Sequence, residues 1–115
     1  MDKIVEELHK ILHLKDSTDI GDIVIIVTEK PQTLCYALIT GFERDSTRRD
    51  EWWHVSMQIL AVPPQKVAWT LRTEQFTGKE IFTMGGEKRY IKAVDFSGPV
   101  GGPKKEKQAV LRVVK

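Results

Sequence analysis

The stretch that decides the fold runs from residue 77 to residue 96 and reads Thr-Gly-Lys-Glu-Ile-Phe-Thr-Met-Gly-Gly-Glu-Lys-Arg-Tyr-Ile-Lys-Ala-Val-Asp-Phe. A β-rich run lies on each side of the pair Gly85-Gly86. Glycine reaches positive φ at little cost, and such residues are typical of the tight turns that join antiparallel strands. The stretch therefore predicts a β-hairpin whose turn contains both glycines.

The loop length of this hairpin decides which residues face each other. A three-residue loop at 85–87 sets Phe82 against Tyr90 and creates a second apolar pair beside it. Such cross-strand pairs stabilise a sheet. A two-residue loop would set Phe82 against Arg89, which is a poorer pair. We therefore predict the three-residue loop.

Five other segments have the composition of strands, namely residues 23–28, 33–43, 51–60, 66–72 and 109–114. The first is apolar throughout, which indicates burial on both faces, whereas the third alternates and indicates one buried face. Gly41, inside the second, is typical of a bulge or sharp bend. About seven short strands with short connections predict a mostly β protein, a small antiparallel β-barrel with one N-terminal amphipathic helix.

The predicted helix covers residues 2–14. Its apolar side chains follow the helical period and form one stripe, made of Ile4, Val5, Leu8, Ile11 and Leu12. A helix of this length is marginal alone in water, so the stripe must dock on something. Since the linker to the first strand is short, we predict that the helix covers an open end of its own barrel. Pairing with a second copy is the alternative.

The length of 115 residues is enough for one domain with its own core. We predict a single domain over residues 1–115, with the helix at 2–14, the barrel core at 22–96, a Gly/Pro/Lys loop at 97–107 and a final strand at 108–115. The net charge of +2 is too small to indicate nucleic-acid binding by itself. Residues 104–115, with five basic side chains and one acidic, are the most basic part.

Cys35 is the single cysteine, so neither an intramolecular disulfide nor a cysteine metal site is expected. The chain has no apolar run near the length of a membrane span, and its first residues lack the pattern of a signal peptide. These features predict a cytoplasmic protein without membrane contact, most simply a bacterial one.

Chemistry-bearing residues are few. His9 and His13 lie four apart on the predicted helix and would face the same way, which is a spacing that can bind zinc. No third strong ligand accompanies them, so we predict no metal site and no cofactor. Cys35 lies in an apolar strand, where a buried and inert thiol is usual. We find no nucleophile or phosphate-loop motif and predict no enzyme activity and no catalytic residue.

The best candidate for function is an exposed surface formed by arginines and aromatic residues. Arginines bind phosphate, and exposed aromatic rings stack on nucleobases. Acidic residues alternate with these arginines and offset their charge, and a nucleic-acid face usually carries a basic excess. The candidate binding residues are Arg44, Arg48, Arg49, Trp52 and His54, with Lys88 and Arg89 of the hairpin as an extension.

The sequence Gly21-Asp22-Ile23-Val24 opens the first predicted strand, and a meander with a tight Gly85-Gly86 hairpin follows. In these features the chain resembles the SH3-like small β-barrels. The resemblance implies a fold and no particular activity. Our prediction for function is a non-catalytic small-barrel binding module that contacts a protein partner or its own copy. The alternative is RNA or single-stranded nucleic-acid binding through the arginine- and tryptophan-containing segment at residues 44–54.

Overall fold

The computed structural model describes residues 1–96. Its elements are α1 (Asp2–Ile11), β1 (Ile23–Glu29), β2 (Gln32–Arg44), β3 (Trp52–Ile59), β4 (Gln65–Arg72), α2 (Thr73–Phe76), β5 (Phe82–Met84) and β6 (Glu87–Ala93). The strands form one sheet in the order β4-β3-β2-β1-β6-β5, and all neighbours are antiparallel. The predicted loop at 97–107 and the predicted strand at 109–114 lie outside the described residues.

The sheet curls into a half-barrel. Strands β1 to β4 form a meander, and β6 pairs with the other side of β1. One large hydrophobic cluster takes side chains from all six strands, so these residues share the inner face. The guanidinium of Arg89 on β6 lies 4.9 Å from the ring centroid of Trp69 on β4, although three strands separate β6 from β4 in the sheet. The predicted mostly β fold is confirmed, as a half-barrel with β4 and β5 at its edges in the described part of the chain.

Strand β1 is buried on both faces, as its continuous apolar composition predicts. Val24 and Ile26 belong to the inner cluster. Ile25 and Val27 point the other way and pack in a second cluster with side chains of α1. Side chains alternate between faces in a strand, so a strand covered on both sides needs no polar residue in its centre.

Strands β2 and β3 also follow their predicted patterns. The pairing register shifts between Ile39 and Gly41, which confirms the predicted bulge. In β3, Val55 and Met57 are buried, and Trp53 packs against the inner cluster. The alternate residues of β3 therefore lie on the outer face of the half-barrel.

The predicted hairpin exists, but its predicted register is wrong. Met84 pairs with Glu87 and Phe82 pairs with Arg89, so the loop has two residues. Both glycines of the loop have positive φ, which is the requirement of a type I′ turn. The physical reason lies outside the hairpin. Phe82 belongs to the inner cluster, whereas Tyr90 packs under α1 on the outer face, so the two side chains cannot oppose each other.

Helix α1 is shorter than predicted. It ends at Ile11, and Leu12 is extended with φ −122° and ψ 145°. After the helix the backbone joins the end of β6, because the amide of Lys15 donates to the carbonyl of Ala93 at 2.8 Å and Leu14 forms a bridge with Val94. Residues engaged in this way cannot continue a helix.

The helix docks within its own chain, but not where we predict it. Leu8 is 3% exposed and packs with Tyr90 and Val94 on the outer face of β1 and β6. The prediction that α1 covers a barrel end is therefore wrong. At one end of the inner face the short α2 inserts the buried ring of Phe76 into the inner cluster instead.

Candidate functional site

The loop between β2 and β3 is organised around the carboxylate of Asp45. This buried side chain accepts hydrogen bonds from the Thr47 amide at 3.0 Å, the Thr47 hydroxyl at 2.5 Å and Arg48 Nε at 3.0 Å. The Asp45 amide donates to the carbonyl of Trp52 at 2.9 Å and closes the loop. The loop that composition alone marks as polar and exposed therefore has a defined internal structure.

The hydrogen bonds around Asp45 change its acidity. The hydroxyl and the amide of Thr47 lower the pKa of the Asp45 carboxyl below its usual value, and Arg48 and His54 act in the same direction. Nε2 of His54 lies 3.6 Å from Asp45 Oδ2, while its Nδ1 lies 3.0 Å from the hydroxyl of Thr70 on β4. Asp45 is therefore held as an anion among donors.

This arrangement predicts an acid-dependent effect of the Asp45→Asn substitution. Since the pKa of Asp45 is lower in the folded protein than its ordinary value of 3.8, its charge stabilises the fold at pH values above that ordinary value. That contribution is lost as the pH falls through the folded pKa. We expect Asp45→Asn to destabilise the protein at pH 7 and the difference from wild type to shrink toward pH 2, as measured by urea unfolding.

The exposed Asp50 in the same loop provides the control for this experiment. Asp50→Asn should leave stability nearly unchanged at both ends of the pH range. A destabilisation by Asp45→Asn that stays constant from pH 7 to pH 2 would show that the amide disturbs the loop by its shape and that the charge of Asp45 adds no stability.

Trp52 lies on the outer face with two guanidinium groups against its ring. The guanidinium carbon of Arg48 is 4.8 Å from the ring centroid, and that of Arg72 is 5.9 Å away. Cations over an aromatic face are attracted by the ring quadrupole. Arg44 Nη1 donates to the carbonyl of Asp45 at 3.0 Å, and Arg49 is exposed. The structure thus brings Arg44, Arg48, Trp52 and His54 together around Asp45. It also adds Arg72, which the sequence pattern does not indicate.

Of the predicted extension of this surface, Arg89 lies on the opposite face of the sheet from Trp52, and Lys88 lies on β6, which β2 and β1 separate from β3. Arg89 is on the inner face, stacked over Trp69 and 3.5 Å from the carboxylate of Glu87. Its Nε is buried and has no hydrogen-bond partner within residues 1–96. Lys88 alternates to the other face, opposite Thr83. Trp53 faces the inner cluster, so its neighbour Trp52 faces outward. The sheet therefore separates Arg89 from Trp52.

The two histidines of the N-terminal segment do not share a helix face, because His13 lies beyond the end of α1. His9 Nε2 is 3.4 Å from the Tyr90 hydroxyl, which donates to the carbonyl of Gly78 at 2.8 Å. The described part of the chain contains no group of three or more His, Cys, Asp or Glu side chains that could hold a metal ion. The histidine spacing that suggested zinc is thus not realised in space.

A strip of exposed apolar side chains crosses the outer face beside β2, and we call it the outer strip. It consists of Leu34, Tyr36, Leu60 and Phe96, which are 49%, 38%, 48% and 60% exposed. The rings of Tyr36 and Phe96 meet edge to face with centroids 5.9 Å apart. The amide of Leu60 donates to the carbonyl of Tyr36 at 3.0 Å, so Leu60 lies next to it. This strip was not predictable from the sequence pattern, because it depends on which face of β2 the helix leaves uncovered.

Comparison with protein-family models, curated proteins and solved structures finds no match to this chain. Within residues 1–96, no helix is both long enough and apolar enough to cross a bilayer. The function of the chain must therefore be inferred from its own surfaces. The two candidates are the outer strip and the loop between β2 and β3 that surrounds Asp45.

Proposed function

We propose that this domain is a non-catalytic binding module and that its partner is a protein, either another chain or a second copy. The outer strip carries this proposal. Contiguous exposed apolar side chains are rare on proteins that bind nothing and mark interaction sites when a polar rim surrounds them. Two of the four members are aromatic, and aromatic residues are enriched at the centre of protein interfaces.

The surroundings of the outer strip support a protein partner. Beside it, the outer face of β2 to β4 forms an open groove of about 470 Å³ whose outward-facing lining includes Thr40, Ser56, Gln58 and Lys66. Only one of these side chains is charged. Protein interfaces have a core depleted of charge and a polar rim, whereas nucleic-acid surfaces are strongly basic.

We also propose that the half-barrel is a variant of the SH3-like small barrels. Three features support this. Gly21-Asp22 precedes β1, strands β1 to β4 form a meander, and the Gly85-Gly86 hairpin returns β6 to the free side of β1.

We further propose that the protein is cytoplasmic. The single cysteine, Cys35, supports this location, because disulfide bonds are rare in cytoplasmic proteins.

Site-specific photo-crosslinking in the host cell tests the protein-binding proposal. A photoreactive amino acid at Leu34 should give a discrete adduct, and one at the exposed Glu74 on α2 should not. The Tyr36→Ser substitution should abolish the adduct at position 34. The purified partner should then bind with a negative heat-capacity change and little salt dependence, because apolar burial drives association.

Two results would contradict the proposal. One is the absence of an adduct at position 34. The other is a purified complex that Tyr36→Ser leaves intact, since this would place the interface elsewhere. An adduct of twice the chain mass would identify the partner as a second copy.

The second candidate function is binding of RNA or single-stranded nucleic acid through the loop after β2. The observation that favours it is the placement of the Arg48 and Arg72 guanidiniums against Trp52, and Arg49, the next residue after Arg48, is exposed. Such a surface offers phosphate contacts next to an aromatic ring.

This second function predicts a salt effect. Replacing Arg44, Arg48 and Arg49 together by glutamine should weaken single-strand binding and reduce its salt slope by up to about 2, since each phosphate contact on a single strand contributes about 0.7. Fluorescence anisotropy with a labelled oligonucleotide measures both quantities. If the wild-type protein binds no single strand at low salt, this second function is wrong.

A further inference from the structure

A small pocket opens at the end of the inner face where β2 ends and β3 begins. It has a volume of about 180 Å³ and is lined by Thr18, Asp19, Phe42, Trp53 and Phe76. A water molecule takes about 30 Å³ of the liquid, so the pocket has room for a group of several heavy atoms. It faces away from the outer strip, because Phe42, Trp53 and Phe76 all pack with the inner cluster.

Three aromatic rings form most of the wall. The Phe42 and Phe76 centroids are 5.0 Å apart with the rings inclined at 39°, and the Phe42 and Trp53 centroids are 6.5 Å apart with the rings at 80°. Phe42 therefore contacts both of the other rings, and all three residues line the pocket. The face of each ring carries the negative part of its quadrupole and attracts cations.

The polar part of the pocket has one charge, and it is negative. The Thr18 hydroxyl is already used, since it donates to the carbonyl of Phe76 at 2.9 Å. Asp19 is exposed, and its amide is fixed by Asp22 Oδ2 at 2.8 Å. The nearby ammonium of Lys15 binds Asp22 at 2.7 Å. The Asp19 carboxylate accepts no hydrogen bond within the described residues, and the Lys15 ammonium, which pairs with Asp22, offsets only part of its charge through a longer-range attraction.

We propose that this pocket binds an organic cation, of the alkylated ammonium class. Three aromatic rings and one carboxylate attract positive charge, and they offer few hydrogen-bond acceptors to replace the water around a primary ammonium. An alkylated ammonium is weakly hydrated and presents methyl groups to the rings, so it loses less on entering. The pocket is independent of the outer strip, and this site stands whether or not a protein binds there.

Tetramethylammonium and choline are the probes for this site, with 3,3-dimethylbutan-1-ol as the uncharged counterpart of choline. The indole Nε1–H of Trp53 is buried and has no partner within residues 1–96, so its NMR resonance reports on the pocket without competition from a hydrogen bond. At constant ionic strength both cations should shift this resonance with millimolar affinity. The neutral alcohol should bind at least about tenfold more weakly, which corresponds to about 1.4 kcal/mol.

Two substitutions test the two parts of the pocket. Asp19→Asn should weaken the binding of tetramethylammonium several-fold while leaving the fold intact, because the side chain is exposed. Asp50→Asn, an exposed carboxylate in the loop after β2, is the matched control and should change nothing. Phe42→Leu should abolish binding, because it removes the ring that contacts both Trp53 and Phe76.

Either of two results would overturn the proposal. If the alcohol binds as well as choline, the pocket recognises apolar shape and not charge. If neither cation shifts the Trp53 resonance of the folded wild-type protein at the highest soluble concentration, no cation site exists. Should Phe42→Leu fail to fold, the comparison of Asp19→Asn with Asp50→Asn still decides the outcome.

Discussion

The Leu8→Glu variant should lose most of the stability of the fold. Leu8 is 3% exposed and packs with Ile25, Val27, Tyr90 and Val94 between α1 and the outer face of the sheet. Truncating such a leucine typically costs about 2–5 kcal/mol, and burying an unpaired carboxylate adds to that cost. Domains of this size have about 5–15 kcal/mol in total. We therefore expect a loss of at least about 4 kcal/mol, measured by urea unfolding.

Ile11→Glu is the control, because Ile11 lies on the same helix but is 59% exposed. A substitution at such a position usually changes stability by about 0.5 kcal/mol or less. Equal stabilities for the two variants would show that α1 does not rest on the sheet. A folded, monomeric Leu8→Glu protein from a dimeric wild type would show that the helix instead packs on a second copy.

The parts of the fold that were predictable from sequence are those that depend on periodicity within one segment. Strand β1 is apolar at every central position and is covered on both faces. Strand β3 alternates, and Val55 and Met57 are buried as its pattern predicts. The bulge at Gly41 belongs to the same class. In each case the signal and the structure involve the same short stretch of chain.

The parts that were not predictable depend on a third element. The register of the β5–β6 hairpin was wrong because Tyr90 is needed under α1, and a comparison of two strands takes no account of a helix. The end of α1 was misplaced for a similar reason. The amphipathic pattern continues to Leu12, but the backbone of Lys15 is engaged by Ala93. Tertiary contacts override local propensity at both places.

The candidate loop shows the same division. Arg48, Trp52 and His54 are close in sequence, so their proximity was predictable. Arg72 reaches Trp52 only because β3 and β4 pair with those two residues opposite each other. The alternating patterns of β3 and β4 could have fixed the register between these two strands. That register would have placed Arg72 opposite Trp52.

The Gly78→Ala substitution is the second change for which we expect a large effect. Gly78 has a φ of +78°, where a side chain is strained by about 1–2 kcal/mol. A methyl group at this position would also lie 2.5 Å from Cγ and 2.7 Å from Cβ of Lys92. Lys92 is buried, and its ammonium donates to the carbonyl of Thr77 at 3.2 Å, so its side chain cannot swing away freely. Overpacking of this kind costs about 1–3 kcal/mol more, and we expect a total of about 2–5 kcal/mol.

Gly86→Ala separates the two causes. Gly86 has the same φ of +78°, but a methyl group there meets no atom within 4 Å. Its cost should be the backbone strain alone, so the difference between the variants measures the clash with Lys92. The Gly78 carbonyl also accepts a hydrogen bond from the hydroxyl of Tyr90, which packs under α1, so a shift of Gly78 should loosen the helix. Urea unfolding gives both free energies, and hydrogen exchange in α1 should accelerate in Gly78→Ala only. Equal costs for the two variants would mean that β6 yields to the added methyl group and that the contact with Lys92 is not rigid.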